Sequence, residues 1–176
     1  DPTTPEFRRQ SPYLCATCHA DKSLMREYGL STEIMDSYVT DFHGTTAYLF
    51  PDEAGKVLNQ AVCYDCHGVH DILPSENPES RVYKTAIPYT CGRCHREGAP
   101  VAATYDLYEH NIIENYSQSI HGEGLFKKGL TVTATCSDCH EGHSILPHTD
   151  PRASISPSSA SRSATDGKGR PTESKR

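Results

Sequence analysis

Every cysteine in this chain belongs to one repeated pattern, in which two residues separate a pair of cysteines and a histidine follows directly. The pattern occurs four times and uses all eight cysteines. The four copies are Cys15–His19, Cys63–His67, Cys91–His95 and Cys136–His140. Cys-x-x-Cys-His is the attachment signature of c-type haem, in which both thiols bond to one porphyrin and the histidine ligates its iron. The sequence therefore predicts four covalently bound haems.

Cysteine pairs at this spacing also occur in zinc sites, redox-active dithiols and the disulfide frameworks of exported proteins. None of these alternatives requires a histidine directly after the second cysteine, and all four copies have one. Haem is therefore the favoured interpretation. The predicted attachment residues are Cys15, Cys18, Cys63, Cys66, Cys91, Cys94, Cys136 and Cys139. The predicted proximal iron ligands are His19, His67, His95 and His140.

A second set of histidines recurs together with the motifs. The run Tyr38–Gly44 matches Tyr116–Gly122 in the second half of the chain, and Cys63–Pro74 matches Cys136–Pro147. These matches supply four candidate distal ligands for four irons: His43, His70, His121 and His143. Other candidates lack a counterpart in the opposite half and are not expected to bind iron: His110, His148, Met25 and Met35.

Ligation by two histidines has consequences for function. It lowers the reduction potential relative to histidine–methionine ligation, because axial ligands are the main control on haem potential. It also fills both axial positions, so that no site on iron is open to a substrate. The pattern predicts an electron carrier and no enzymatic activity, with a haem-dependent reductase as the less favoured alternative.

The repeat and the composition together predict the organisation of the chain. We expect an N-terminal arm (1–10), two tandem dihaem modules (11–86 and 87–150) and a Ser-rich basic tail (151–176). Helical periodicity indicates helices within 21–40, broken at Gly29, and within 104–120, each delivering its distal histidine to a ring. No alternating strand pattern persists. The expected fold is mostly irregular with a few short α-helices, little or no β-sheet, and a haem-filled core.

Charge and hydropathy limit the partners. The net charge is −6, of which the tail carries +4 and residues 1–150 carry −10, an acidic balance that argues against nucleic acid. No apolar run approaches the ~20 residues of a membrane helix. We expect an exported, mature form, because haem is attached to thiols outside the cytoplasm in prokaryotes. The tail's composition predicts disorder, unless its positive charge docks it on an acidic surface of this chain or a neighbour.

The run His-Gly followed by Cys-x-Asp-Cys-His-x-x-His-x-Ile-Leu-Pro, present twice, resembles the multihaem c-type cytochromes of metal-reducing and anaerobic prokaryotes. Residues 11–150 are similar in particular to the tetrahaem extracellular cytochromes that polymerise into conductive filaments. The resemblance implies stacked bis-histidine haems, one axial histidine donated across a subunit boundary, and electron delivery to extracellular acceptors at the cell surface. A soluble periplasmic shuttle serving redox partner proteins is the alternative.

The repeat gives an independent reason to consider exchange between subunits. If a histidine of the first module ligates a haem of the second, its equivalent in the second module requires a third module. Another copy of the chain could supply it, which would give a head-to-tail contact that propagates. If each distal histidine stays within its own module, this reason disappears. The sequence leaves both arrangements open.

Overall fold

The computed structural model of the chain describes residues 4–49, 60–99, 101–102 and 111–159. Within these residues the regular structure is helical and no strand occurs, which confirms the expectation of little or no β-sheet. The helices, numbered here in chain order, are α1 (Pro5–His19), α2 (Lys22–Tyr28), α3 (Ile34–Thr40), α4 (Phe42–Leu49), α5 (Cys63–His67), α6 (Ile87–Gly92), α7 (Ile112–Gln118), α8 (Ile120–Lys128) and α9 (Cys136–His140). His110 and the first part of the predicted 104–120 helix lie outside the described residues.

The helical region predicted within 21–40 is present as α2 and α3, separated at the predicted break. Asp21 caps α2 by accepting hydrogen bonds from the amides of Ser23 (2.8 Å) and Leu24 (3.1 Å). Gly29 ends the helix in the left-handed conformation, with φ of 65°, which glycine adopts without steric cost. Met25 is buried in this region as part of the apolar core.

The two candidate distal histidines that follow Tyr38 and Tyr116 lie beyond the helices that precede them, as the sequence predicts. Those helices, α3 and α7, end at Thr40 and Gln118. His43 and His121 occupy the first turn of the next helices, α4 and α8. A sharp turn between the paired helices therefore sets the direction of each imidazole.

Equivalent contacts fix this turn in both halves of the chain. The Asp41 carboxylate accepts a hydrogen bond from the Gly44 amide (2.7 Å), and the Ser119 hydroxyl accepts one from the Gly122 amide (3.2 Å). A side chain is excluded at both glycines. A Cβ on Gly44 would lie 1.9 Å from the Tyr38 carbonyl oxygen. The His-Gly pair is thus a requirement of close helix–helix approach.

A tyrosine anchors each of these helix pairs to a haem motif. The Tyr38 hydroxyl donates a hydrogen bond to the Ala61 carbonyl, and the Tyr116 hydroxyl donates one to the Ala134 carbonyl, both at 2.9 Å. Each accepting residue lies two positions before a motif cysteine. The turn that carries a candidate distal histidine is therefore held against a Cys-x-x-Cys-His segment in both halves.

The beginning of the Ser-rich tail is folded. The composition of 151–176 predicts disorder, yet Ala153 and Ser156 are 4% and 1% exposed. The Ser154 hydroxyl donates a hydrogen bond to the Cys139 carbonyl in the fourth motif. The expectation of disorder is therefore wrong for residues 151–159, and residues 160–176 lie outside the described residues.

Candidate haem sites

Each of the four motifs forms one turn of helix. Three of them lie in the last turn of α1, in α5 and in α9. The third motif begins at the end of α6, and the His95 amide donates to the Cys91 carbonyl at 3.0 Å, so the helical turn continues. Residues three and four positions apart share one face of a helix. Two thiols and one imidazole therefore point to the same side, as attachment to a single ring requires.

The aspartate between the cysteines of the second and fourth motifs fixes the start of the motif helix. Asp65 accepts a hydrogen bond from the Val62 amide (2.8 Å), and Asp138 accepts one from the Thr135 amide (2.7 Å). Each carboxylate thereby satisfies a backbone donor that the first turn of a helix leaves without a partner.

Each of these aspartates also forms an ion pair with a residue upstream of the preceding motif. Arg8 pairs with Asp65 at 2.7 Å, and Lys84 pairs with Asp138 at 2.6 Å. Hydrogen bonding from Lys84 holds the pKa of Asp138 down at about 2. We refer to these two pairs as the motif clamps. The sequence analysis did not identify them, although the two cations occupy equivalent positions upstream of a motif cysteine, Cys15 and Cys91.

The two clamps differ in burial, so their removal is expected to differ in cost. Arg8 donates to both Asp65 oxygens, to the Gln60 carbonyl and to the Tyr64 hydroxyl, whereas Lys84 donates to Asp138 at the surface. We expect Arg8→Met to lower the free energy of unfolding by about 3 kcal/mol. We expect Lys84→Met to lower it by about 1 kcal/mol or less. Denaturant unfolding of the haem-loaded variants measures both, and equal losses would contradict the prediction.

The thiols of the four motifs meet in chain order. Cys15 lies beside Cys63, and Cys91 lies beside Cys136, close enough for each thiol to shift the pKa of its neighbour. Between these contacts, Cys66 and Cys94 lie close enough to interact electrostatically, and burial raises the pKa of Cys66 to about 11. The first motif therefore adjoins the second, the second adjoins the third, and the third adjoins the fourth.

Two motif histidines face two repeat-matched histidines. The ring centres of His67 and His143 are 5.8 Å apart with an interplanar angle of 8°, and those of His43 and His95 are 6.2 Å apart at 66°. Two metal–nitrogen bonds of about 2 Å, each with about 1.1 Å from nitrogen to ring centre, span roughly 6 Å. The separation in both pairs therefore fits one iron between the rings.

The surroundings keep these four imidazoles in the neutral form that a metal ligand requires. Burial lowers the pKa of His43 to about 4, and the neighbouring His95 contributes to the shift. Desolvation also lowers the pKa of His67, His95 and His143. His143 is an exposed residue, and desolvation by its neighbours still lowers its pKa.

The structure brings together four of the eight predicted ligands, in two pairs. The other four predicted ligands are exposed, and none forms a ring pair with another imidazole in the described part of the chain: His19, His70, His121 and His140. The attachment residues Cys18 and Cys139 beside them are exposed too, whereas the cysteines of the second and third motifs are partly buried. The first and fourth sites thus lie at the surface. His148 is also exposed.

The apolar surface around the motifs fits a large flat ring. Phe42 and Ile120, which directly precede His43 and His121, are 53% and 82% exposed. Val69 and Ile72, which follow the second motif, are exposed as well. Each of these apolar side chains lies in sequence next to or near a predicted iron ligand and offers surface on which a ring could pack. Together with the thiol faces and the histidine pairs, the residues present fit c-type haem.

Two further observations concern bare-metal sites and membrane-spanning helices. Across residues 4–49, 60–99, 101–102 and 111–159, no three His, Cys, Asp or Glu side chains are grouped so that they could hold a bare metal ion. Among the helices of these same ranges, none combines the length and apolar character that crossing a membrane demands.

Comparison with protein-family models, with curated proteins and with solved structures gives no match for this chain.

Proposed function

We propose that this chain transfers electrons through four covalently bound bis-histidine c-type haems and is the repeating subunit of an extracellular conductive filament. The observation that carries the proposal is the pairing of His43 with His95 and of His67 with His143 at a separation suited to iron. Two tandem dihaem modules with a haem-filled core are part of this proposal.

The order of the motifs supports conduction. When bound, haem supplies an iron that cycles between its ferric and ferrous states. The chain's residues would hold neighbouring rings close together, because thiols of consecutive motifs lie near one another. With two imidazoles assigned to an iron, no axial position stays open to a substrate. An iron with both axial positions filled by histidine favours electron transfer over the catalytic activity of a reductase.

The direction of the two pairs supports assembly. His43 reaches forward from the first half to the third motif, so its equivalent, His121, is expected to reach forward to the first motif of a following copy. His143 reaches back from the second half to the second motif. Its equivalent, His70, is expected to reach back to the fourth motif of a preceding copy. Each junction would then exchange two histidines, and all four histidines involved are exposed.

Carbon monoxide binding tests the proposal, because it reports irons that lack a sixth ligand. We expect the reduced assembled protein to bind none, and dispersed monomers to bind carbon monoxide at two haems per chain. Haem content, measured by mass and by the reduced absorption spectrum, should be four per chain.

Other outcomes discriminate between the alternatives. Monomers with four six-coordinate haems and no fibres in negative-stain images would contradict the filament and favour a periplasmic shuttle. Carbon monoxide binding within intact fibres would favour a haem enzyme. A spectrum without covalent haem bands would overturn the haem assignment itself.

A further inference from the structure

The turn between α3 and α4 is bonded to the opposite half of the chain. The Phe42 amide donates a hydrogen bond to the Ile145 carbonyl at 2.7 Å. Phe42 directly precedes His43, and Ile145 lies two residues after His143. Each of these histidines faces an imidazole of the other half. One backbone contact therefore joins the two segments that carry the distal ligands reaching across the chain.

The Asp41 carboxylate lies in the same turn, directly before α4. Asp41 is 2% exposed, and its carboxylate accepts the hydrogen bond of the Gly44 amide. Burial raises the pKa of Asp41 to about 6, and the backbone amides of Gly44, Ile145 and His43 limit the rise. These amides come from both halves of the chain. The carboxylate therefore lies where the two segments meet.

Asp41 is also close to the second motif. Burial raises the pKa of Cys66 to about 11, and the negative charge of Asp41 is among the smaller contributions to the shift. Cys66 is an attachment residue of the proposed second haem, whereas His43 is assigned to the iron of the third. One carboxylate thus adjoins two of the proposed haems.

The equivalent turn in the second half is capped by a neutral residue. Ser119 stands where Asp41 stands in the first half. Its hydroxyl accepts a hydrogen bond from the Gly122 amide (3.2 Å) and donates one to the Tyr116 carbonyl (2.7 Å). Both partners belong to the adjoining helices, α7 and α8. The second half therefore offers a matched control, with the same turn and an uncharged cap.

We infer that Asp41 and Phe42 are positioning residues for two irons. Asp41 holds His43 at the third haem, and the bond from Phe42 to Ile145 holds His143 at the second. This inference rests on the proposed bis-histidine haems and adds two residues that neither bind iron nor belong to a motif. Loss of either contact should release one particular ligand and leave the other irons unchanged.

Phe42→Pro tests the bond to Ile145, because proline has no amide to donate. Asp41 has the extended backbone that a residue before proline adopts, with φ of −81° and ψ of 174°. The first position of a helix accepts proline. Phe42→Ala keeps the amide and controls for loss of the ring. Ile120→Pro is the matched control in α8, where Ser119 is extended as well, with φ of −73° and ψ of 162°.

The measurement is carbon monoxide binding per chain, by reduced haem-loaded chains diluted until they are monomers. We expect Phe42→Pro to bind one carbon monoxide more than the unsubstituted chain, because the second iron loses His143. The gain should vanish in the Cys63→Ala/Cys66→Ala background, which lacks that haem. Phe42→Ala and Ile120→Pro should bind the same number as the unsubstituted chain.

Asp41→Ala tests the other contact, because it removes the acceptor for the Gly44 amide. It should release His43 and add one carbon monoxide at the third haem. Ser119→Ala is the matched control and should add none in monomers, because His121 is assigned to an iron of another copy. A gain that is equal in Asp41→Ala and Ser119→Ala would overturn the role of Asp41.

Asp41→Asn separates the shape of the side chain from its charge. Asparagine keeps an acceptor oxygen at the same position, so carbon monoxide binding should match that of the unsubstituted chain. The negative charge favours ferric iron, and its loss should raise the potentials of the second and third haems at pH 8. We expect a change of about tenfold in the equilibrium between ferric and ferrous iron, equivalent to about 59 mV for one electron.

The remaining outcomes keep the inference separate from the proposed function. Four-haem Phe42→Pro and Asp41→Ala chains without any gain would overturn the inference. If either variant loads fewer than four haems, unchanged potentials in Asp41→Asn overturn it. Unsubstituted monomers that bind no carbon monoxide contradict ligand exchange between copies, while gains in the variants would still support the two positioning residues. A chain without covalent haem overturns both.

Discussion

Replacing His43 with methionine is expected to raise the reduction potential of one haem, the one attached at Cys91 and Cys94. Histidine–methionine ligation gives a higher potential than two histidines, and axial ligands set haem potentials over a range of about 0.8 V. A change on the order of 100 mV or more is therefore expected at this centre. Potentiometric titration followed by absorption should show one haem displaced upward and three unchanged.

The identity of the affected haem follows from a double-mutant comparison. In a Cys91→Ala/Cys94→Ala background, which lacks the third haem, His43→Met should have no further effect on the potentials. In a Cys63→Ala/Cys66→Ala background its effect should persist. His143 faces His67, so the expectation for His143→Met is the reverse. Its effect should vanish in the Cys63→Ala/Cys66→Ala background and persist in the Cys91→Ala/Cys94→Ala background.

A matched control comes from a histidine with no predicted role. His148→Met alters an exposed residue shortly beyond His143 and should leave all four potentials unchanged. If His43→Met loses its effect only when the second haem is absent, the pairing across the two halves is wrong. The distal histidines would then stay within their own half, and the repeat would no longer point to exchange between subunits.

The sequence predicts which histidines matter more readily than it predicts their partners. The recurrence of His43 as His121, and of His70 as His143, can be seen in the amino-acid sequence alone. Whether His43 faces the second or the third motif depends on how the α3–α4 turn is set against a motif far along the chain. Contacts of that separation are decided by packing, such as the Tyr38 hydrogen bond to Ala61, and local patterns do not encode them.

Helix prediction shows the same difference between local signals, which the sequence carries, and long-range packing, which it does not. Asp21 and Gly29 are local signals, and they mark the ends of α2 as the structure has them. Helix α1 is not predicted because Pro12 stands inside it, where proline normally breaks a helix. Here the Ser11 hydroxyl donates a hydrogen bond to the Arg8 carbonyl (2.9 Å), in place of the amide that Pro12 lacks. Burial of Pro12 against the rest of the chain supports the arrangement.

The tail shows the limit of composition as a predictor. Serines and a lack of apolar groups indicate disorder when a segment is considered alone. Residues 151–159 are nevertheless ordered through backbone turns and through contact with the fourth motif. The signal that would have identified them is alignment of the two halves, because Asp150-Pro151 stands after the fourth motif where Asn77-Pro78 stands after the second.

The glycines that follow His43 and His121 are expected to be indispensable for stability. In Gly122→Ala the new Cβ would lie 2.0 Å from the Tyr116 carbonyl oxygen, and in Gly44→Ala it would lie 1.9 Å from that of Tyr38. The new Cβ would clash with a backbone carbonyl oxygen. Unlike a side chain, the backbone cannot relieve the clash by adopting another rotamer. We expect each variant to lose about 3 kcal/mol of unfolding free energy, at the upper end of overpacking costs.

Gly124→Ala is the matched control, because it places the same methyl group in the same helix as Gly122. Its Cβ would meet the Thr133 hydroxyl at 3.3 Å, a side-chain atom that can move. Helical alanine is also favoured over glycine by about 1 kcal/mol, so the net effect should be close to zero. Denaturant unfolding of the three variants would contradict the prediction if all three lost similar stability.

The same substitutions should also disturb iron ligation, which links the stability of the turn to function. Relief of the clash at Gly44 requires α4 to move away from the end of α3, and His43 moves with it. An imidazole displaced from its position 6.2 Å from His95 would leave one iron without its second ligand. Reduced Gly44→Ala protein should therefore bind one more carbon monoxide per chain than the Gly124→Ala control. If Gly44→Ala is destabilised but its carbon monoxide binding is unchanged, the turn stabilises the fold without positioning His43 on the iron.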